Sequence, residues 1–175
     1  HITTISEGNI APKVSLKVVQ AQQERLVVSQ QDGLVTVRAD IYDANIGDSF
    51  SLEWTNPDGM LVNISQQSDN FVFVPSTLNV GLYQITITVV DSGEPQLSDS
   101  ASVYIEVVAQ LAELSAELDS DGDLIPDNIE GYKDSDGDGV ADYLDRIDEC
   151  NVLSQTVEVQ DGYLIEGEPG ICLRR

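Results

Sequence analysis

The chain has 175 residues and a formal net charge of −23, with 31 Asp and Glu against 8 Lys and Arg. A surface that acidic repels nucleic-acid phosphates and anionic lipid, which argues against both as partners. The length suits one ordinary domain with a smaller appendage, and no apolar run approaches the roughly 20 residues that span a bilayer, so no membrane insertion is expected.

Residues 1–10 read as an N-terminal extension. The chain begins at His1 without a Met or a signal-like apolar stretch, which reads as a removed leader or an excised piece. Residues 11–109 alternate apolar and polar side chains, and strands are predicted over 13–20, 34–42, 49–56, 60–65, 70–74, 81–90 and 100–108. Turn signals such as Gln31-Asp32-Gly33, Asn56-Pro57-Asp58-Gly59 and Asp91 to Pro95 separate them. Strands of this length and spacing predict an all-β fold built as an antiparallel β-sandwich. Tyr83, Ile85, Ile87 and Val89 share one face of their strand and are assigned to the core. Trp54 is expected to pack in that core rather than offer a sugar-stacking platform, and Tyr83 suits a tyrosine corner. Lys13 and Lys17 alternate with Val14, Leu16 and Val18 and are expected to point outward, which disfavours a buried Lys–Asn isopeptide. Of the other aromatics, Tyr42, Phe50, Phe71, Phe73 and Tyr104, most are expected to face inward.

Two stretches carry a resemblance: SFSLEWTNPDG (49–59) and PSTLNVGLYQITITVVDSGEPQLSDSASVYIEVV (75–108). They resemble the polycystic kidney disease (PKD) and cadherin-like immunoglobulin-fold modules of bacterial surface proteins. Thr55 and Asn56 depart from the Trp-Asp-Phe-Gly-Asp-Gly ending typical of the PKD motif. The resemblance implies an immunoglobulin-like sandwich. In some relatives it also implies calcium near a loop such as 40–48, where Asp40, Asp43, Asn45 and Asp48 stand; a polar turn is the reading preferred here.

Residues 110–118 read as a linker or short helix, with Leu111, Leu114 and Leu118 at helical spacing. The acidic run follows. Residues 117–149 hold thirteen Asp or Glu against Lys133 and Arg146. Within it, DSDGDLIPDNIE (119–130) and DSDGDGVADYLD (134–145) repeat one pattern at an interval of fifteen residues. Carboxylates so crowded repel one another unless a hard cation sits among them, and Ca2+ takes six to eight oxygens from a tightly turned acidic loop. The first set of candidate ligands is Asp119, Asp121, Asp123, the Ile125 carbonyl, Asp127 and Glu130. The second is Asp134, Asp136, Asp138, the Val140 carbonyl, Asp142 and Asp145, with Asp142 bound directly or through water. Gly139 permits the sharp turn in the second copy. Leu124 stands at that position in the first, where a positive φ costs about 1–2 kcal/mol, so the first site is expected to be the weaker.

Glu130 and Asp134 are separated by Gly131, Tyr132 and Lys133 alone, which leaves no room for EF-hand helices. The stretch before Cys150 is too short for a dockerin helix, and the Gly-Gly-x-Gly-x-Asp pattern of RTX repeats is absent. The Asp-x-Asp-Gly-Asp-Gly-Val-Ala-Asp text instead resembles thrombospondin type 3 repeats over residues 119–149. That resemblance implies an irregular chain wound around two or more calcium ions, with ligands such as Asp134 or Asp148 shared between neighbouring sites.

Residues 150–175 hold the two cysteines, Cys150 and Cys172, flanking a predicted hairpin around Gln160-Asp161-Gly162. A disulfide between them would close a loop of about 23 residues and contribute roughly 3 kcal/mol. It would also place the chain in an oxidising, extracellular compartment; two free thiols are the alternative. The text GYLIEGEPGICLRR resembles strands that open a further β-module in large bacterial secreted proteins.

Enzymatic chemistry is not expected. His1 is the single histidine, so no Ser-His-Asp or Cys-His arrangement is available, and no phosphate-binding glycine loop or HExxH helix appears. The expected function is a non-enzymatic, calcium-binding structural or adhesive module of a secreted or cell-surface protein, with calcium stiffening the joint to neighbouring modules. Cell-surface or matrix polysaccharide or protein is a further candidate partner. The competing expectation is an accessory substrate-binding module of an extracellular polysaccharide- or protein-degrading enzyme.

Overall fold

Period-two alternation of β-branched and polar residues sets the strands, because it places every second side chain on one face. In a computed structural model of the chain, residues 8–146, 159–160 and 163–164 are described. The strands are β1 (Lys13–Gln20), β2 (Gln23–Glu24), β3 (Val27–Ser29), β4 (Val35–Tyr42), β5 (Phe50–Thr55), β6 (Asn70–Phe73), β7 (Gly81–Asp91) and β8 (Ser98–Val108), followed by β9 (Val159–Gln160) and β10 (Tyr163–Leu164). Helix among the described residues is limited to one four-residue turn and two 3-10 turns. Regular structure among the described residues is therefore almost all strand, arranged in two principal sheets. It divides into two units, one of residues 1–22 and 28–110, the other of residues 23–27 and 111–175.

In the first unit β4 lies between β1 and β6, and the second sheet runs β3-β8-β7-β5. These strands pair antiparallel: Leu16 lies opposite Ala39, Val37 opposite Phe71, Trp54 opposite Ile87 and Ile85 opposite Val103. Ala39 from one sheet meets Ile87 and Val89 from the other, with Val14, Leu16, Ile41, Leu52, Trp54 and Ala101 packed around them. Burying a side chain such as Ile87 stabilises by roughly 1.5–3 kcal/mol. Tyr83, Ile85, Ile87 and Val89 are all buried, as their shared face predicts. Trp54 sits against Phe71 with ring centroids 5.8 Å apart, and its Nε1 donates to the Ser68 carbonyl at 2.8 Å. The Tyr83 hydroxyl donates to the Asn79 carbonyl at 2.8 Å, closing the predicted corner.

Two expectations are corrected, the strand at 60–65 and the inward-facing aromatics. Residues 60–65 are not a strand. Leu61 is buried there, but the Asn56 side chain brackets its backbone N–H and C=O, and the Asn63 side chain takes the Val72 amide. Side-chain amides thus replace part of the ladder that Val62 and Ile64 suggested. Of the two readings of residues 110–118, a linker or a short helix, residues 111–118 form no helix: the Ser115 hydroxyl accepts the amides of Glu117 and Leu118, a local bond that competes with helix formation. The short strands β2 and β3 carry too few residues to show a period. Finally, Phe71 and Phe73 are buried, but Tyr42, Phe50 and Tyr104 are exposed. Tyr104 falls on the outward phase of β8, where its neighbours Ile105 and Val107 take the core.

β9 and β10 pair antiparallel with Gln160 opposite Tyr163, matching the predicted hairpin. Cys150 and Cys172, and the disulfide expected between them, lie outside the described residues. No helix among the described residues is long and apolar enough to cross a membrane.

Candidate metal centres

The two acidic copies turn alike, through the same set of aspartate-to-amide bonds. Asp119 Oδ1 accepts the Gly122 amide at 2.7 Å and Asp134 Oδ1 accepts the Gly137 amide at 2.7 Å. Their Oδ2 atoms accept the amides of Leu124 and Gly139, each at 3.0 Å. Asp121 and Asp136 each take the amide two residues on, from Asp123 and Asp138, at 3.0 Å. Asp123 and Asp138 take the amides of Ile125 and Val140 at 2.7 and 2.9 Å. This alternation of short side chains bonding to backbone turns the loop tightly, and Asp favours such turns. The turn needs positive φ at Gly122, Gly137 and Gly139, and at Leu124, where φ is 86°.

The result is two compact clusters. Carboxylate oxygens of Asp119, Asp121 and Asp123 lie within 4.8 Å of one another, as do those of Asp134, Asp136 and Asp138. Oδ2 of Asp121 and Oδ2 of Asp136 are buried without a hydrogen-bond partner, an arrangement that suits oxygens committed to a cation. The electrostatics match the geometry. Burial pushes the Asp136 carboxyl up to about 6, and repulsion from Asp138, Asp145 and Asp134 adds to it. Burial likewise raises Asp134 and Asp121, with neighbouring aspartates contributing. Asp119 moves the other way, because hydrogen bonds led by the Leu124 and Gly122 amides outweigh the effect of its burial.

The remaining predicted ligands are placed differently. Asp127 and Asp142 are buried, 2% and 1% exposed, and each reaches back seven residues. Asp127 accepts the Ser120 amide at 2.7 Å and the Ser120 hydroxyl at 2.8 Å. Asp142 accepts the Ser135 amide and hydroxyl, both at 2.7 Å. These two aspartates close the loops as clamps on the serines between the first two cluster carboxylates. Glu130 is buried at the end of α1 (Asp127–Glu130), and Asp145 follows the 3-10 turn Asp142–Leu144, close enough for its charge to act on Asp136. Ile125 and Val140 occupy equivalent positions with exposed side chains. Sequence reading missed the clamp; its signal was the serine that follows the first aspartate in both copies. Around the loops, Leu26 donates its amide to the Tyr132 carbonyl at 2.9 Å, and the Tyr132 and Tyr143 rings meet edge to face.

A third cluster lies in the first unit. Asp43 and Asp48 are joined by Asp91, not by Asp40, which pairs instead with Arg38 at 3.4 Å on the surface. Asp91 is 2% exposed and accepts hydrogen bonds from Asn9 Nδ2 and from the amides of Gly93 and Leu97. These bonds, led by Leu97, lower its carboxyl despite the opposing effect of burial. Asn45 accepts the Ile10 amide beside it.

A scan against protein-family models gave no match, and no curated protein matches the chain.

Proposed function

We propose that this chain is a non-enzymatic, calcium-binding structural or adhesive module of a larger secreted or cell-surface protein. In this reading the first unit is an immunoglobulin-like sandwich of the PKD or cadherin-like kind. The acidic repeats are of the thrombospondin type 3 kind, and the C-terminal hairpin is closed by Cys150 and Cys172. One observation carries it: two carboxylate clusters with the same internal bonding recur at a fifteen-residue interval, each with a buried oxygen that no donor satisfies. A hard, oxygen-seeking divalent ion matches such a donor set better than zinc or a soft metal.

Calcium then acts by mass action. At about 1 mM calcium, a site with a Kd of about 10⁻⁴ M contributes about 1.4 kcal/mol to the ordered state. Bound calcium offsets the mutual repulsion of the segment's carboxylates, and the joint between modules stiffens. Small-angle scattering with calcium and with EDTA tests this, since superimposable profiles would sink it; isothermal titration should give two or more ions per chain.

A second reading, an accessory binding module of a degradative enzyme, is favoured by one feature. Tyr104 lies on the outward face of β8, beside the cross-strand hydroxyl pairs Thr86–Ser102 at 2.7 Å and Thr88–Ser100 at 3.0 Å. An exposed ring next to hydrogen-bonding hydroxyls suits a sugar chain. Retention on chitin, cellulose or collagen would move the assignment to this second reading.

A further inference from the structure

We propose that Lys133 is a built-in cation that orders the second acidic copy without metal, whereas the first copy, with Leu118 in the equivalent place, depends on metal for its order. The equivalence rests on the backbone. The Leu118 carbonyl accepts the Asp127 amide at 3.0 Å, and the Lys133 carbonyl accepts the Asp142 amide at 2.7 Å. The side chains differ. Lys133 Nζ lies 2.8 Å from Asp142 Oδ2 and donates to the Ser135 hydroxyl at 2.7 Å, while that hydroxyl donates to the same Asp142 oxygen. Ammonium, hydroxyl and carboxylate form a closed triangle at the mouth of the loop, and Leu118 has no charge or donor to build one.

The clamp carboxylates are almost fully buried in both copies. Holding an ionised carboxylate out of water is costly unless a cation or several donors compensate it. The second copy has the cation; the first has only the neutral donors of Ser120. A half-exposed ion pair is often worth little. Here one partner is 1% exposed and the contact is a charge-assisted hydrogen bond, which raises its worth. The turn residues act in the same direction: Gly139 takes φ 98° freely, while Leu124 takes φ 86° against strain. Ordering on rising calcium is therefore sequential, with the second copy already formed and the first following. This last step rests on the calcium reading of the repeats; the metal-free asymmetry does not.

Amide hydrogen exchange on the full chain tests it, read at Ser120 and Ser135, whose amides donate to the two clamps. In EDTA the Ser135 amide should exchange roughly three- to tenfold more slowly than Ser120, after correction for intrinsic rates. Lys133→Leu and Lys133→Gln should both abolish that protection, and Leu118→Lys should confer it on Ser120. Equal exchange of the two amides in EDTA, or protection of Ser135 that survives both Lys133 variants, overturns the proposal whatever calcium does. Added calcium should slow Ser120 strongly and Ser135 little. If calcium slows neither, the calcium reading fails, while the EDTA comparison still decides the role of Lys133.

Discussion

Leu124 and Gly139 stand fifteen residues apart in equivalent turns, and both adopt positive φ, 86° and 98°. Each donates its amide to the first aspartate of its own copy at 3.0 Å, so neither turn can relax without releasing a cluster carboxylate. Only one of the two is a glycine. The Leu124 side chain is 90% exposed, and no packing compensates the left-handed strain. Leu124→Gly should stabilise the second unit by about 1 kcal/mol, the relief of strain exceeding the added freedom of the unfolded chain. Gly139→Leu should destabilise it by a similar amount. Urea midpoints of the two variants with calcium present check this, and a destabilised Leu124→Gly would contradict it.

The clamp can be separated from the clusters by substitution. Asp127→Ala or Asp142→Ala leaves all three cluster carboxylates of its copy in place but frees the serine between the first two. Each should cost roughly 1–3 kcal/mol, the range for losing a buried charged acceptor. Ser120→Ala and Ser135→Ala keep the amide bond and lose only the hydroxyl, so about 1 kcal/mol is expected. Calcium binding should weaken in the order of these losses. If Asp127 and Asp142 instead ligate the ion directly, the aspartate variants should abolish binding at their site while the serine variants leave it intact, and calorimetry separates the two patterns.

The acidic loops were legible because everything that shapes them is local. Each cluster carboxylate bonds an amide two to five residues away, so spacing along the chain is spacing in the fold. The third cluster was not legible, because Asp91 comes to Asp48 only through the loops at the ends of β4 and β7, 43 residues apart in the chain. Asp40 looked equivalent to Asp43 by proximity, yet strand phase turns it to the surface. The long strands were readable from their period, whereas Leu61 to Ile64 imitated one. There the deciding partners, Asn56 and Asn63, are side chains that a hydrophobic pattern ignores. Tyr104 misled for a related reason, since a large aromatic suggests burial but alternation with Ile105 fixes it outward.

Proton and calcium should compete at the second copy. The Asp136 carboxyl sits at about 6 in the folded loop, raised by burial and by Asp138, Asp145 and Asp134; unfolded, it should titrate near 3.9. Between these values the folded, metal-free loop holds more protons than the unfolded chain, so its stability falls as pH rises through that window. Asp134 and Asp121 are raised too and act in the same sense. Calcium requires the deprotonated carboxylates. Its affinity should therefore climb from pH 5 to pH 7, with close to one proton released per ion at the second site near pH 5.5. Calorimetry in two buffers of different ionisation enthalpy counts that proton, and an affinity flat across the window would contradict the proposed competition.

The first unit offers a test independent of metal. The Tyr83 ring is 6% exposed, and its hydroxyl donates to the Asn79 carbonyl at 2.8 Å just ahead of β7. Tyr83→Phe keeps the ring and removes the donor, leaving a carbonyl at the corner without it, at a cost of about 1 kcal/mol. Tyr83→Ala adds the loss of a buried aromatic and should cost roughly 3–5 kcal/mol. For a unit of about 100 residues, 1 kcal/mol shifts the midpoint by about 4–8 °C. Trp54 is the chain's one tryptophan and packs against Phe71 in the same unit, so its fluorescence reports this unfolding selectively. A Tyr83→Phe midpoint unchanged from the parent would mean that water replaces the hydroxyl at no cost, and that ring burial alone sets the corner.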